Sequence, residues 1–77
     1  MQSYRIDYTD DNDKLVVKYF GYDRARAMAA ARRISRKGIL TYVIVSAGTC
    51  RDLYKDTGHI VFADGRIVDR DGFVEAA

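Results

Sequence analysis

The stretch Asp23–Gly38, DRARAMAAARRISRKG, reads as a helix, and the other segments take their places around it. Asp23 is a capping residue: its carboxylate can accept from the free amides of the first turn. Alanine and arginine, both strong helix formers, fill most of the remaining positions. Gly38 suits the left-handed residue that closes a helix, and Arg36 and Lys37 complement the negative end of the helix dipole. Arg24 and Arg26 stand where the dipole prefers acids, so local stability does not explain them.

Turning the chain by about 100° per residue puts Ala27, Ala30, Ala31 and Ile34 on one stripe, flanked by Met28. Small side chains let such a helix lie close on a sheet. The opposite face carries Arg26, Arg32, Arg33, Arg36 and Lys37, with Ala25 and Ala29 between them. The plain reading is a solvated face that keeps a small protein in solution. The sharper reading is a contact surface for phosphate or carboxylate, since the arginine fork matches both.

At 77 residues the chain is read as a single α+β domain, 1–77, with a thin core. Cys50 has no cysteine partner, and with His59 alone it cannot complete a zinc site. No apolar run approaches a membrane span, and MQSYRIDYTDD lacks the features of a signal peptide. The expectation is a cytoplasmic protein with no membrane contact and no cofactor. The net charge of +2 hides an asymmetry. Residues 1–13 carry −3, residues 14–37 carry +7 and residues 38–77 carry −2. A basic patch of this kind steers anionic partners, yet the whole chain lacks the basicity of a dedicated nucleic-acid binder.

Around the helix the pattern is β. Tyr4–Thr9 alternates apolar and polar, with Tyr4, Ile6 and Tyr8 expected to face the helix. Asp10–Asp13 is a turn; its spacing departs from the twelve-residue calcium loop, so no metal is expected. Lys14–Phe20 is a second strand, antiparallel to the first, with Leu15, Val17 and Tyr19 on one side. Ile39–Ser46, ILTYVIVS, is β-branched and apolar on both faces, as a central strand is. Cys50–Lys55 reads as a loop or a short extended piece, and Asp56-Thr57-Gly58 as a turn. His59–Ala63 and Arg66–Asp69 flank Asp64-Gly65, the strongest hairpin signal present, with Phe62 expected opposite Ile67 and Val61 opposite Val68. Asp71-Gly72 repeats the turn chemistry, Phe73-Val74 would fold back as an apolar latch, and the tail would fray.

The order is β-β-α-β-β-β. It predicts one antiparallel sheet of four to five strands with the helix packed across a single face. The six tyrosines and three phenylalanines cannot all lie beneath an alanine-rich helix, so some should line the open face or an edge. Tyr4, Tyr8, Tyr42 and Tyr22, the last at the helix entrance, are the aromatic contact candidates. Arg26, Arg32, Arg33 and Arg36 are the cationic ones. Nucleophile, base and oxyanion-hole patterns are missing, as is a phosphate-cradling glycine loop, so the expectation is a binding protein and not an enzyme. The competing class is a nucleic-acid binder, with tyrosines stacking bases and helix arginines on phosphate. Against it, helix arginines and sheet tyrosines would lie on opposite sides. A core this small also makes a homodimer through the sheet or its edge an expectation.

The segments GYDRARAMAAARRISRKGILTYVIVSAG and GHIVFADGRIVD resemble the layout of small phage and prophage accessory proteins, several anti-CRISPR proteins among them. In that layout an alanine-rich helix ends at glycine and is followed by a strand and an Asp-Gly hairpin. The resemblance implies a non-enzymatic inhibitor that occupies a surface of a host protein complex, in a bacterial cytoplasm, with nucleic acid reachable through the basic helix. It is one of pattern and transfers no functional residue. The chain lacks the strong acidity of inhibitors that mimic DNA.

Overall fold

The computed structural model describes residues 2–48 and 56–71. Five strands and one helix follow in the order β1 (Ser3–Thr9), β2 (Leu15–Tyr19), α1 (Arg24–Ser35), β3 (Thr41–Ser46), β4 (Asp56–Ala63) and β5 (Arg66–Asp71). The strands form one antiparallel sheet ordered β2-β1-β3-β4-β5. The helix packs across β1, β3 and β4 on one face. This is the expected α+β arrangement, with five strands.

The apolar alternation sets the two faces. Tyr4 and Ile6 of β1, Val43 and Val45 of β3, and Ile60 and Phe62 of β4 meet Ala27, Ala30 and Ala31 of the helix in the core. Ile6, Val43, Ile60 and Phe62 are fully buried. Ile34 is buried as well, while Tyr8, Phe20, Met28 and Ile67 close the margins. β3 lies in the middle of the sheet, as its two apolar faces predict.

The helix is capped as its sequence dictates: Asp23 Oδ1 accepts from the Arg26 amide at 3.0 Å. At the other end Gly38 has φ +84° and its amide donates to the Ser35 carbonyl. In the β4–β5 turn Asp64 and Gly65 have φ of +52° and +78°, as a two-residue turn that matches strand twist requires.

Some expectations are corrected. Asp56-Thr57-Gly58 is not a turn but the start of β4: Gly58 pairs with Val45 and Asp56 with Ser46 across a bulge. Thr57 Oγ1 donates to the Val45 carbonyl, so the central strand draws these turn-forming residues into the ladder. Phe62 does lie opposite Ile67, but Val61 pairs with Asp69 and not Val68, because a register shift leaves Val68 as the extra residue. β3 begins at Thr41; Ile39 and Leu40 belong to the connection. Asp71 still belongs to β5. The readings of Cys50–Lys55, Gly72, the Phe73-Val74 latch and the tail lie outside the described residues. No described helix is long and apolar enough to cross a membrane.

Candidate functional site

The four arginines singled out on α1 and its C-cap, Arg36, fall into two pairs with different surroundings. Arg26 and Arg33 are exposed and stand seven residues apart, about 10 Å along the axis, on the ridge that also carries the exposed Ala25 and Ala29. Among the described residues no carboxylate pairs with either guanidinium. The first turn of the helix holds no acid.

Arg32 and Arg36 lean toward the β4–β5 turn instead. Arg32 Nε donates to the Gly65 carbonyl at 3.1 Å, and its guanidinium carbon sits 5.5 Å from the Phe62 ring centroid. The stem of Arg36 lies so close to Gly65 that a Cβ there would meet Arg36 Cγ at 2.8 Å. Between these two arginines the buried Ser35 hydroxyl donates to the Arg32 carbonyl and accepts from the Gly65 amide, each at 2.9 Å. These two arginines therefore help to join helix and hairpin, while Arg26 and Arg33 remain directed at solvent.

The aromatic candidates are likewise divided. Tyr4 is only 7% exposed, so its ring is a core element and is not available as a surface. Strand alternation turns it toward the helix, and the Tyr4 hydroxyl donates to Gln2 Oε1 at 3.5 Å. Tyr8 shares that face, half-buried, with Lys18 Nζ 5.9 Å above its ring. Tyr42 is exposed on the other face, edge-on to His59 at 6.2 Å. Tyr22 is exposed just before the helix cap. A cleft of about 510 Å³ at one end of the sheet brings Tyr8 and Tyr42 together with Asp10, Asp13, Leu15 and Leu40. Asp10 is already engaged there, its carboxylate accepting from the Asn12 and Lys14 amides.

The open face also holds a group that the sequence did not reveal. Arg5 lies on it, 6% exposed. Its Nη1 and Nη2 donate to the two Asp56 oxygens at 3.0 and 2.9 Å, and its Nε donates to Asp7 at 3.1 Å. Burial alone would lower the Arg5 pKa. The hydrogen bonds from Asp56 and Asp7, with their charges, outweigh it and hold the pKa above its usual value. Arg5 and Asp7, two apart on one strand, are visible as a same-face pair. Asp56, 51 residues from Arg5, gave no signal.

Near this clamp, His59 Nε2 stands 3.6 Å from Asp69. Among the described residues no three His, Cys, Asp or Glu side chains are grouped to hold a metal. No known protein family, characterised protein or solved structure matches this chain.

Proposed function

We propose that this chain is a non-enzymatic protein-binding module that sets the Arg26–Arg33 ridge of α1 against an acidic surface of a larger partner. The observation that carries this reading is the pair of exposed guanidinium groups with no neutralising carboxylate among the described residues. Ala29 between them and Ala25 beside Arg26, both exposed, keep the ridge low, so a partner backbone can approach the arginines. Arginine suits such contacts because its fork binds carboxylates through two bonds and desolvates at lower cost than an ammonium. The layout shared with small phage accessory proteins supports an inhibitor that blocks a surface of a host complex in the bacterial cytoplasm.

The test is capture from bacterial lysate with the wild-type chain and with Arg26→Glu/Arg33→Glu, scored by quantitative mass spectrometry. Arg66→Glu/Arg70→Glu on β5 is the charge-matched control. The ridge variant should lose the captured partner by at least tenfold, the order expected for losing two interface arginines, and the control should keep it. Equal capture by both variants removes the helix from the interface. Capture that depends on nucleic acid, and that persists for purified single or double strands near physiological salt, replaces the protein partner with a nucleic acid.

A further inference from the structure

The arginine ridge makes no use of the cleft at the end of the sheet. Three elements build that cleft: the β1–β2 turn, β2 at Leu15, and the connection from Gly38 into β3. Leu15 stands opposite Thr9 and Tyr42 opposite Asp7, and Thr9 and Asp7 are two apart on β1. Leu15 and Tyr42 therefore share one face of the sheet, on either side of β1. Gly38, with φ +84°, turns the chain out of the helix and brings Ile39 and Leu40 to the same cleft. Leu15, Leu40 and Tyr42 are exposed by 68%, 49% and 37%. A single exposed apolar side chain is ordinary, but three gathered around one cavity mark a contact site. The cleft, about 510 Å³, has the size of a ligand site.

Charge selects what this apolar cleft can take. Asp10, Asp11 and Asp13 line it, and among the described lining residues none is basic. Lys14 lies between Asp13 and Leu15 in sequence but is not part of the lining. Among the described residues no ion pair engages the three carboxylates. The turn that carries them is tied down. The Asp10 carboxylate accepts from the Asn12 and Lys14 amides at 2.8 and 3.0 Å, and the Asp13 amide donates to the Asp10 carbonyl at 3.0 Å. The three are not grouped to hold a metal ion. Carboxylates spread along an apolar cleft suit a ligand whose cations are spaced and joined by an apolar part.

We propose that this cleft binds an extended peptide segment of a partner, one in which an aliphatic side chain lies between two basic ones. The aliphatic side chain covers Leu15, Leu40 and Tyr42 and removes their apolar surface from water. The basic side chains lay their stems on the same surface and carry their charged heads to the Asp11 and Asp13 carboxylates. A phosphate-bearing or acidic ligand is repelled by the same carboxylates. The proposal stands independently of what the Arg26–Arg33 ridge binds, because the two sites lie on different elements and select opposite charges.

The probe is the blocked tripeptide acetyl-arginyl-leucyl-arginine amide, titrated at about 50 mM salt into the isotope-labelled full chain and followed by NMR. It should bind at about 0.1–1 mM, with amide shifts confined to residues 8–15 and 38–42. Asp11→Asn/Asp13→Asn should weaken binding about fivefold, as the loss of two exposed ion pairs does; asparagine tolerates the left-handed backbone at position 13. Leu15→Gln/Leu40→Gln should weaken it about tenfold, the order expected for lost apolar cover, and so should glycine in place of the leucine of the probe. Asp64→Asn/Asp69→Asn changes the net charge equally and should leave binding as it is. The absence of shifts at about 5 mM probe overturns the proposal, as do shifts spread over the other acidic residues or equal binding of the glycine probe. Spermidine binding the same residues as tightly replaces the peptide with a free polyamine. Shifts there that follow protein concentration without probe replace it with a second copy. The shift map needs only the wild-type chain, so an unfolded variant does not rescue the proposal.

Discussion

Consider Asp56→Ala, which takes the two-pronged partner away from Arg5. The guanidinium is 7% exposed at the side chain, and Asp7 still accepts from its Nε. Removing one partner of a fully buried ion pair costs about 3–5 kcal/mol, since the remaining charge stays in a poor solvent. Asp56 is itself 29% exposed, so water can enter where it stood, and the expectation falls to about 2 kcal/mol. For a chain of this size that is a drop of roughly 8–16 °C in Tm. Arg5→Met removes the charge and keeps an apolar stem. It leaves Asp7 and Asp56 at 23% and 29% exposure, where water reaches them, so it should cost about 1 kcal/mol or less. In the Arg5→Met background Asp56→Ala should then cost almost nothing, a coupling of about 2 kcal/mol in a double-mutant cycle. Urea denaturation followed by circular dichroism measures all three. Additive losses, or an Asp56→Ala loss below about 0.5 kcal/mol, would refute the claim that a buried charge is being held. The pH dependence has a definite form. A raised Arg5 pKa means its stabilisation is complete below the unfolded arginine value and fades only as pH climbs through the folded one. Both lie far above neutrality, so Arg5 should add no slope to stability between about pH 6 and 9.

Two further substitutions test the joint between helix and hairpin. Ser35→Ala removes the acceptor of the Gly65 amide and should cost about 1–2 kcal/mol by thermal melting, because that amide loses its bond at a site whose serine is fully buried; a change within about 0.3 kcal/mol would show that water replaces it. Gly65→Ala forces a side chain into φ +78° and against the Arg36 stem, for a loss of about 1–2 kcal/mol. Adding Arg36→Ala should recover the contact part and leave the dihedral part, so full recovery or none would contradict this division.

What could be read from the chain was whatever its neighbours in sequence decide. Asp23 caps the helix through the amide three residues on, Asp64-Gly65 fixes its own turn, and the double-faced apolarity of ILTYVIVS placed this strand centrally before any partner was known. Strand alternation also assigned Tyr4 to the helix side, and that assignment already excluded it from the surface for which its ring was a candidate. The unreadable features depend on remote partners. Asp56-Thr57-Gly58 has the composition of a turn, yet β3 on one side and the Arg5 fork on the other hold it extended. The arginine ridge shows the same limit most sharply. Helical periodicity puts Arg26, Arg32, Arg33 and Arg36 on the outer surface and is right to do so. Which of them is committed to the fold is settled by Gly65, 33 residues beyond Arg32. A guanidinium bonded to that carbonyl must surrender the contact before it can bind a partner, and one with no such bond surrenders nothing. On this ground Arg26 and Arg33 are the better candidates for the proposed interface, although composition alone ranks the four alike.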